Sequence, residues 1–117
     1  MNRQRVQSEF EKYVSHYDTA DPKIRLKIEH TYKVADLCER IARSLSMSEE
    51  EITAAWICGM LHDIGRFEQV HRFHTFIDAE SVDHAKFGAE LLFGEKKLIC
   101  RFLDKTDWHE RIRDAIY

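Results

Sequence analysis

The sequence predicts an all-α domain of about five to six helices. Three observations carry this. Apolar residues recur at three- and four-residue steps through most of the chain, the period of a helix with one buried face. Turn-forming residues are scarce: four Gly and one Pro in 117 residues, against roughly 12% in average usage. No segment alternates apolar and polar residues as a half-buried strand does. The length suits one core and not two, so positions 1–117 read as a single domain.

Val6, Phe10, Val14 and Tyr17 mark an amphipathic helix over about 3–17. Asp18 to Pro22 breaks it. Asp21 is suited to cap the next helix, with Pro22 in its first turn, where a missing N–H costs nothing. Ile28, Leu37, Ile41 and Leu45, with small Ala35 and Ala42, carry that second helix to about Ser46. Ser48 and Glu51 form a capping-box pair. The third helix then holds Ile52, Ala55, Trp56, Gly59, Met60 and Asp63, and Gly65 is placed to end it in a left-handed conformation. From Arg66 to Glu80 the periodicity fails, and a long ordered loop with at most one helical turn is expected. Such loops in compact domains are usually functional. Ser81 or Asp83 starts a fourth helix that closes near Gly94. Two shorter helical patterns follow, Glu95 to Asp104 and Asp107 to Tyr117.

Composition excludes several classes. With 18 Lys+Arg, 21 Asp+Glu and a net charge of −3, the chain lacks the basic excess of a nucleic-acid grip. At 44% hydrophobic residues it is too apolar to be disordered. No apolar run reaches the roughly 18–20 residues needed to span a bilayer. The charged N-terminal stretch is not a signal core, so a cytoplasmic location is expected. The three Cys are odd in number, contain no CxxC, and read as reduced small hydrophobes. A phosphate loop of the GxxxxGK type is absent, which argues against ATP-driven chemistry.

The chemistry gathers at His30, the adjacent pair His62-Asp63, and His84. Each lies on an otherwise apolar helix. Imidazoles and a carboxylate converging from separate helices make a site for a divalent cation. Neighbouring helical residues point about 100° apart, so His62 and Asp63 can share an ion only near a distorted helix end. A buried Asp beside a buried His needs a partner, because an unpaired buried charge is costly.

His30-Thr31-Tyr32-Lys33-Val34-Ala35, then Leu61-His62-Asp63-Ile64-Gly65-Arg66, then His84-Ala85-Lys86-Phe87-Gly88-Ala89-Glu90-Leu91-Leu92, resembles the HD-domain superfamily of metal-dependent phosphohydrolases, most clearly over 24–117. The resemblance implies an HD-type helical domain that hydrolyses a nucleotide or other small phosphate ester. It implies His30, His62 and Asp63 as metal ligands and His84 as the additional ligand of two-metal members. Asp63 would also orient the attacking water and so be the catalytic residue. The cofactor would be a divalent ion (Mn, Fe, Mg, Zn or Ni), lowering the pKa of that water and polarising the phosphoryl group. Arg66, Arg72, His71, His74 and Lys33 are the candidates for holding substrate phosphate.

The family's last Asp has no clear match. The chain ends at Asp114-Ala115-Ile116-Tyr117, where the family's later helix would begin, so an HD domain incomplete at its C-terminal side is expected. Asp104, Asp107, His109 and Asp114 are the candidate substitutes. A missing layer would expose Trp56, Leu91 or Phe102 and favour a symmetric homodimer. The competing expectation is a catalytically inactive helical binding module that lacks the final ligand.

Overall fold

A computed structural model describes residues 1–94, 97–103 and 108–116. The described residues are helical, without strands: α1 (Arg3–Val14), α2 (Pro22–Ser44), α3 (Glu49–Leu61), α4 (Ile64–Phe73), a 3-10 turn (Asp78–Glu80), α5 (His84–Phe93), α6 (Ile99–Phe102) and α7 (His109–Ile116). None of these helices is long and apolar enough to cross a membrane.

Local chemistry sets the helix starts as expected. Asp21 accepts from the Lys23 amide, with Pro22 in the first turn. Ser48 and Glu51 form a reciprocal capping box. Asn2, not foreseen as a cap, accepts from the Arg5 amide and opens α1. One core joins Val6, Phe10 and Val14 of α1 to Ile57, Met60 and Leu61 of α3, Ile64, Phe67 and Val70 of α4, Leu92 of α5 and Ile112 of α7.

Two expectations are corrected. Arg66 to Phe73 is not a loop but most of α4. Ile64, Phe67 and Val70 step by three residues and are buried. That apolar face is enough to hold a helix against the core, although charged and aromatic residues on the other faces disguise its period. Gly65 does not stop α3, and no glycine has a positive φ. It lies in the first turn of α4, where a Cβ would stand 2.7 Å from the His84 carbonyl oxygen and 2.8 Å from the Gly88 nitrogen. Its service is close approach of α4 to α5.

The expected exposed apolar surface is also elsewhere. Trp56 and Phe102 are buried, and the Arg3 guanidinium lies 5.1 Å from the Trp56 ring centroid. Leu91 is half-buried. The exposed large apolar side chains include Leu26, Leu37, Ile41 and Leu45, all on α2 or at its end.

Candidate metal centre

The α2–α3 hairpin sets the register of the site. A Cβ on Gly59 would lie 2.5 Å from Ala35 Cα, so the two backbones touch there. Counting outward from that contact along antiparallel helices brings His30 level with Asp63. The chain then breaks between α3 and α4: His62 keeps helical angles, while Asp63 moves to φ −107°, ψ 19°, a sparsely populated region. Asp63 occupies the N-cap position of α4 yet makes no side-chain cap bond. Its carboxylate is thereby left for the neighbouring helices. The Gly65–Gly88 contact brings His84, at the start of α5, to the same place.

The result is a buried carboxylate ringed by one ammonium and three imidazoles. Asp63 Oδ2 lies 3.1 Å from His62 Nε2, 3.4 Å from His30 Nε2 and 3.2 Å from Lys27 Nζ. Asp63 Oδ1 lies 3.4 Å from His84 Nε2. The side chain of Asp63 is 7% exposed, against 46% for His30. Ligand atoms of His30, His62 and Asp63 all fall within 4.8 Å of one another, so this group could hold a metal ion.

Partners on the far side of two rings decide which nitrogen is free. His62 Nδ1 is 2.6 Å from the Gly59 carbonyl oxygen, which can only accept, so Nδ1 carries the proton. His84 Nδ1 is 2.8 Å from Asp78 Oδ2. Asp78 is held ionised: burial pushes its carboxyl up, but the His84 and Gln69 hydrogen bonds outweigh this and bring it down to about 2. His84 therefore also donates from Nδ1. In their neutral forms both rings aim an Nε2 lone pair at a carboxylate oxygen. Acceptor facing acceptor is unfavourable unless a proton or a cation lies between them, and the same outer hydrogen bonds are those that orient metal-ligating histidines. The donor set fits a divalent ion.

In the metal-free protein, protonation of His62 relieves the conflict on its side of Asp63. Burial lowers the His62 pKa, but the Asp63 hydrogen bond and charge raise it further, and the net shift is upward. Burial raises Asp63, yet His62 and Lys27 together take it well below the usual carboxylate range. Asp63 thus contributes stability above its unfolded pKa of about 3.9, lost as pH falls. His62 contributes stability below its unfolded pKa of about 6.5, lost as pH rises through its higher folded value. His30 is shifted down, by burial first and by Lys27 second, and opposes His62, but its ring is well solvated. Chelated protein is expected to melt highest between about pH 4 and 6.5. The gain in Tm from added Mn²⁺ should grow from pH 5.5 to 8, because the ion needs deprotonated rings. Melts across that range check both trends.

The expected phosphate holders are mostly engaged with the protein. Arg66 Nη1 donates to Gln69 Oε1, the Phe76 carbonyl and Asp78 Oδ1, while its buried Nε has no partner. Arg72 pairs with Glu68 at 2.7 Å and lies over the Phe87 ring. His71 packs edge-on against Tyr17. His74 ends α4 with φ 58°, and Lys33 is exposed on α2. Among the substitute ligands, His109 and Asp114 line clefts with Phe93 at the far end of α5. Phe93 lies nine residue steps along the helix from His84, roughly 14 Å. Asp104 and Asp107 lie outside the described residues.

Sequence reasoning missed Lys27 and Asp78. Lys27 precedes His30 by three residues, a spacing that places both on one helix face. Asp78 carried no comparable signal, because its contact with His84 depends on the path of the 74–83 segment.

The arrangement defines a histidine–aspartate centre at a helix break, and the comparisons agree in class. The model of the HD domain family matches residues 28–116, and the chain belongs to that family. Over 111 residues it is 26% identical to the 3'3'-cGAMP-specific phosphodiesterase 1 of Vibrio cholerae serotype O1 (strain ATCC 39315 / El Tor Inaba N16961). That alignment takes in 86% of this chain but 25% of the relative, so the chain spans about a quarter of that protein's length. No solved structure gives a significant match. Both similarities point to metal-dependent phosphohydrolases.

Proposed function

We propose that this domain hydrolyses a phosphate ester of nucleotide type at the Asp63 centre, with His30, His62 and Asp63 holding a divalent metal and His84 joining from the Oδ1 side. The observation that carries this is the pair of contacts that set the tautomers of His62 and His84: each places Nδ1 against an acceptor, donates a hydrogen bond from it, and turns Nε2 to Asp63. A bound ion would supply Lewis-acid stabilisation of the phosphoryl oxygens and a lowered pKa for an attacking water.

The chain's own residues do the rest. Asp63 orients the attacking water by accepting its hydrogen bond. Asp78 keeps His84 in one orientation, and Arg66 and Gln69 hold Asp78 in turn. Lys27 places a positive charge between Asp63 and the Phe76 ring, at the mouth a phosphate would approach. The ions that suit the mixed nitrogen and oxygen donors are first-row divalents, with Mn²⁺ or Fe²⁺ the first to test. A nucleotide diester is the favoured substrate class because the matched relative is a cyclic dinucleotide phosphodiesterase. Bis-p-nitrophenyl phosphate, p-nitrophenyl phosphate and 3'3'-cGAMP, each with Mn²⁺, form the test. Metal-dependent turnover of a diester supports the proposal.

One observation favours the second reading, a binding module. Among the described residues, the one group of three whose ligand atoms all lie within 4.8 Å of one another is His30, His62 and Asp63, a set that leaves His84 outside it. Tight metal binding without turnover of any of the three compounds would select it.

A further inference from the structure

We propose that Lys27 sets the metal affinity of the centre, its ammonium holding Asp63 Oδ2 in the empty site and giving that oxygen up to the ion by moving onto the face of Phe76. The inference rests on the metal-centre reading above.

Three observations carry it. Lys27 Nζ donates to Asp63 Oδ2 at 3.2 Å, the same oxygen that faces His30 Nε2 and His62 Nε2. A divalent ion taking that oxygen meets a fixed positive charge on it. Second, the Lys27 side chain is 15% exposed, so solvent screens the repulsion less than it would at the surface. Third, the ammonium has somewhere to go. It already lies 5.2 Å from the Phe76 ring centroid, within cation–π range. The Phe76 backbone is anchored by Arg66 Nη1 at 2.7 Å, and the Arg66 guanidinium lies 5.7 Å from the same ring. The ring is thus a held surface rather than a loose one.

This arrangement answers a problem of the empty state. Asp63 is buried, and an unpaired buried carboxylate is costly. Lys27 pairs it when no ion is present, at the expense of weaker metal binding. Lys27 is a positioning and affinity-setting residue, not a ligand, since its ammonium has no free lone pair.

Calorimetric titration of Mn²⁺ into chelator-treated wild type, Lys27→Met, Phe76→Leu and the double variant tests this without any turnover assay. Lys27→Met should bind Mn²⁺ at least about tenfold more tightly than wild type, or about 1.4 kcal/mol. Phe76→Leu should bind more weakly, and its effect should vanish in the Lys27→Met background, as a double-mutant cycle reads it. Lys27→Gln gives the same comparison if Lys27→Met folds poorly by circular dichroism. Unchanged or weaker binding on loss of the lysine overturns the inference while leaving the metal centre standing. Failure of all four proteins to bind Mn²⁺ overturns the metal-centre reading itself.

Discussion

Asp63→Asn is expected to lower Mn²⁺ affinity by at least about a hundredfold and to abolish metal-dependent diester hydrolysis. Outer-shell partners of metal sites alone are worth roughly 10–100-fold, and Asp63 stands at the middle of the centre. Both of its oxygens are engaged: Oδ2 by His30, His62 and Lys27, Oδ1 by His84. Asn keeps the shape and removes the charge. The metal-free protein should also lose stability, on the order of 2 kcal/mol, as a buried hydrogen-bonded charge pair is broken. The loss stays moderate because His62 can shed its proton and Lys27 is not fully enclosed. Melting curves with and without Mn²⁺ separate the two effects. A metal-induced rise in Tm that survives the substitution unchanged would show that Asp63 is not a ligand.

Gly59→Ala should act at a distance on the same site. Its Cβ would meet Ala35 Cα at 2.5 Å and Ala35 N at 2.9 Å. Those are backbone atoms, and the helices must move apart to admit it. Overpacking of this kind costs about 1–3 kcal/mol, and each kcal/mol lowers Tm by roughly 4–8 °C in a domain near this size. The hairpin register also brings His30 of α2 level with Asp63, and the Gly59 carbonyl receives the His62 Nδ1 proton. Mn²⁺ affinity should therefore fall along with Tm. A destabilised variant that kept wild-type affinity would show that the α2–α3 spacing does not set the site.

Much of this was legible in the sequence. Asp21 and Ser48 announce their helices through side-chain caps that need only local chemistry. The periodic run of α2 and the apolar run of α3 announced the two helices, though not their pairing, and the His62-Asp63 pair called for a distorted helix end that the structure places one residue before Ile64. Helix α4 was hidden because its three large buried apolar side chains, Ile64, Phe67 and Val70, are outnumbered by Arg66, His71, Arg72 and Phe73 on its other faces and His74 at its end. Gly65 misled for a related reason. A glycine near a helix end suggests a left-handed cap, whereas close packing against Gly88 is a tertiary fact. Lys27 could have been found, being one turn before His30. Asp78 could not, since only the folded 3-10 turn carries it to His84.

The central claim is that lone pairs held on His62 and His84, with His30, turn a buried Asp63 into a divalent metal centre. Elemental analysis tests it most directly, on chain purified without chelators, stripped by dialysis against chelator, and reconstituted with Mn²⁺. The account predicts stoichiometric divalent metal in the wild type, restored on reconstitution and absent from His62→Ala under the same dialysis. Wild-type protein that retains no more metal than His62→Ala after reconstitution would contradict it.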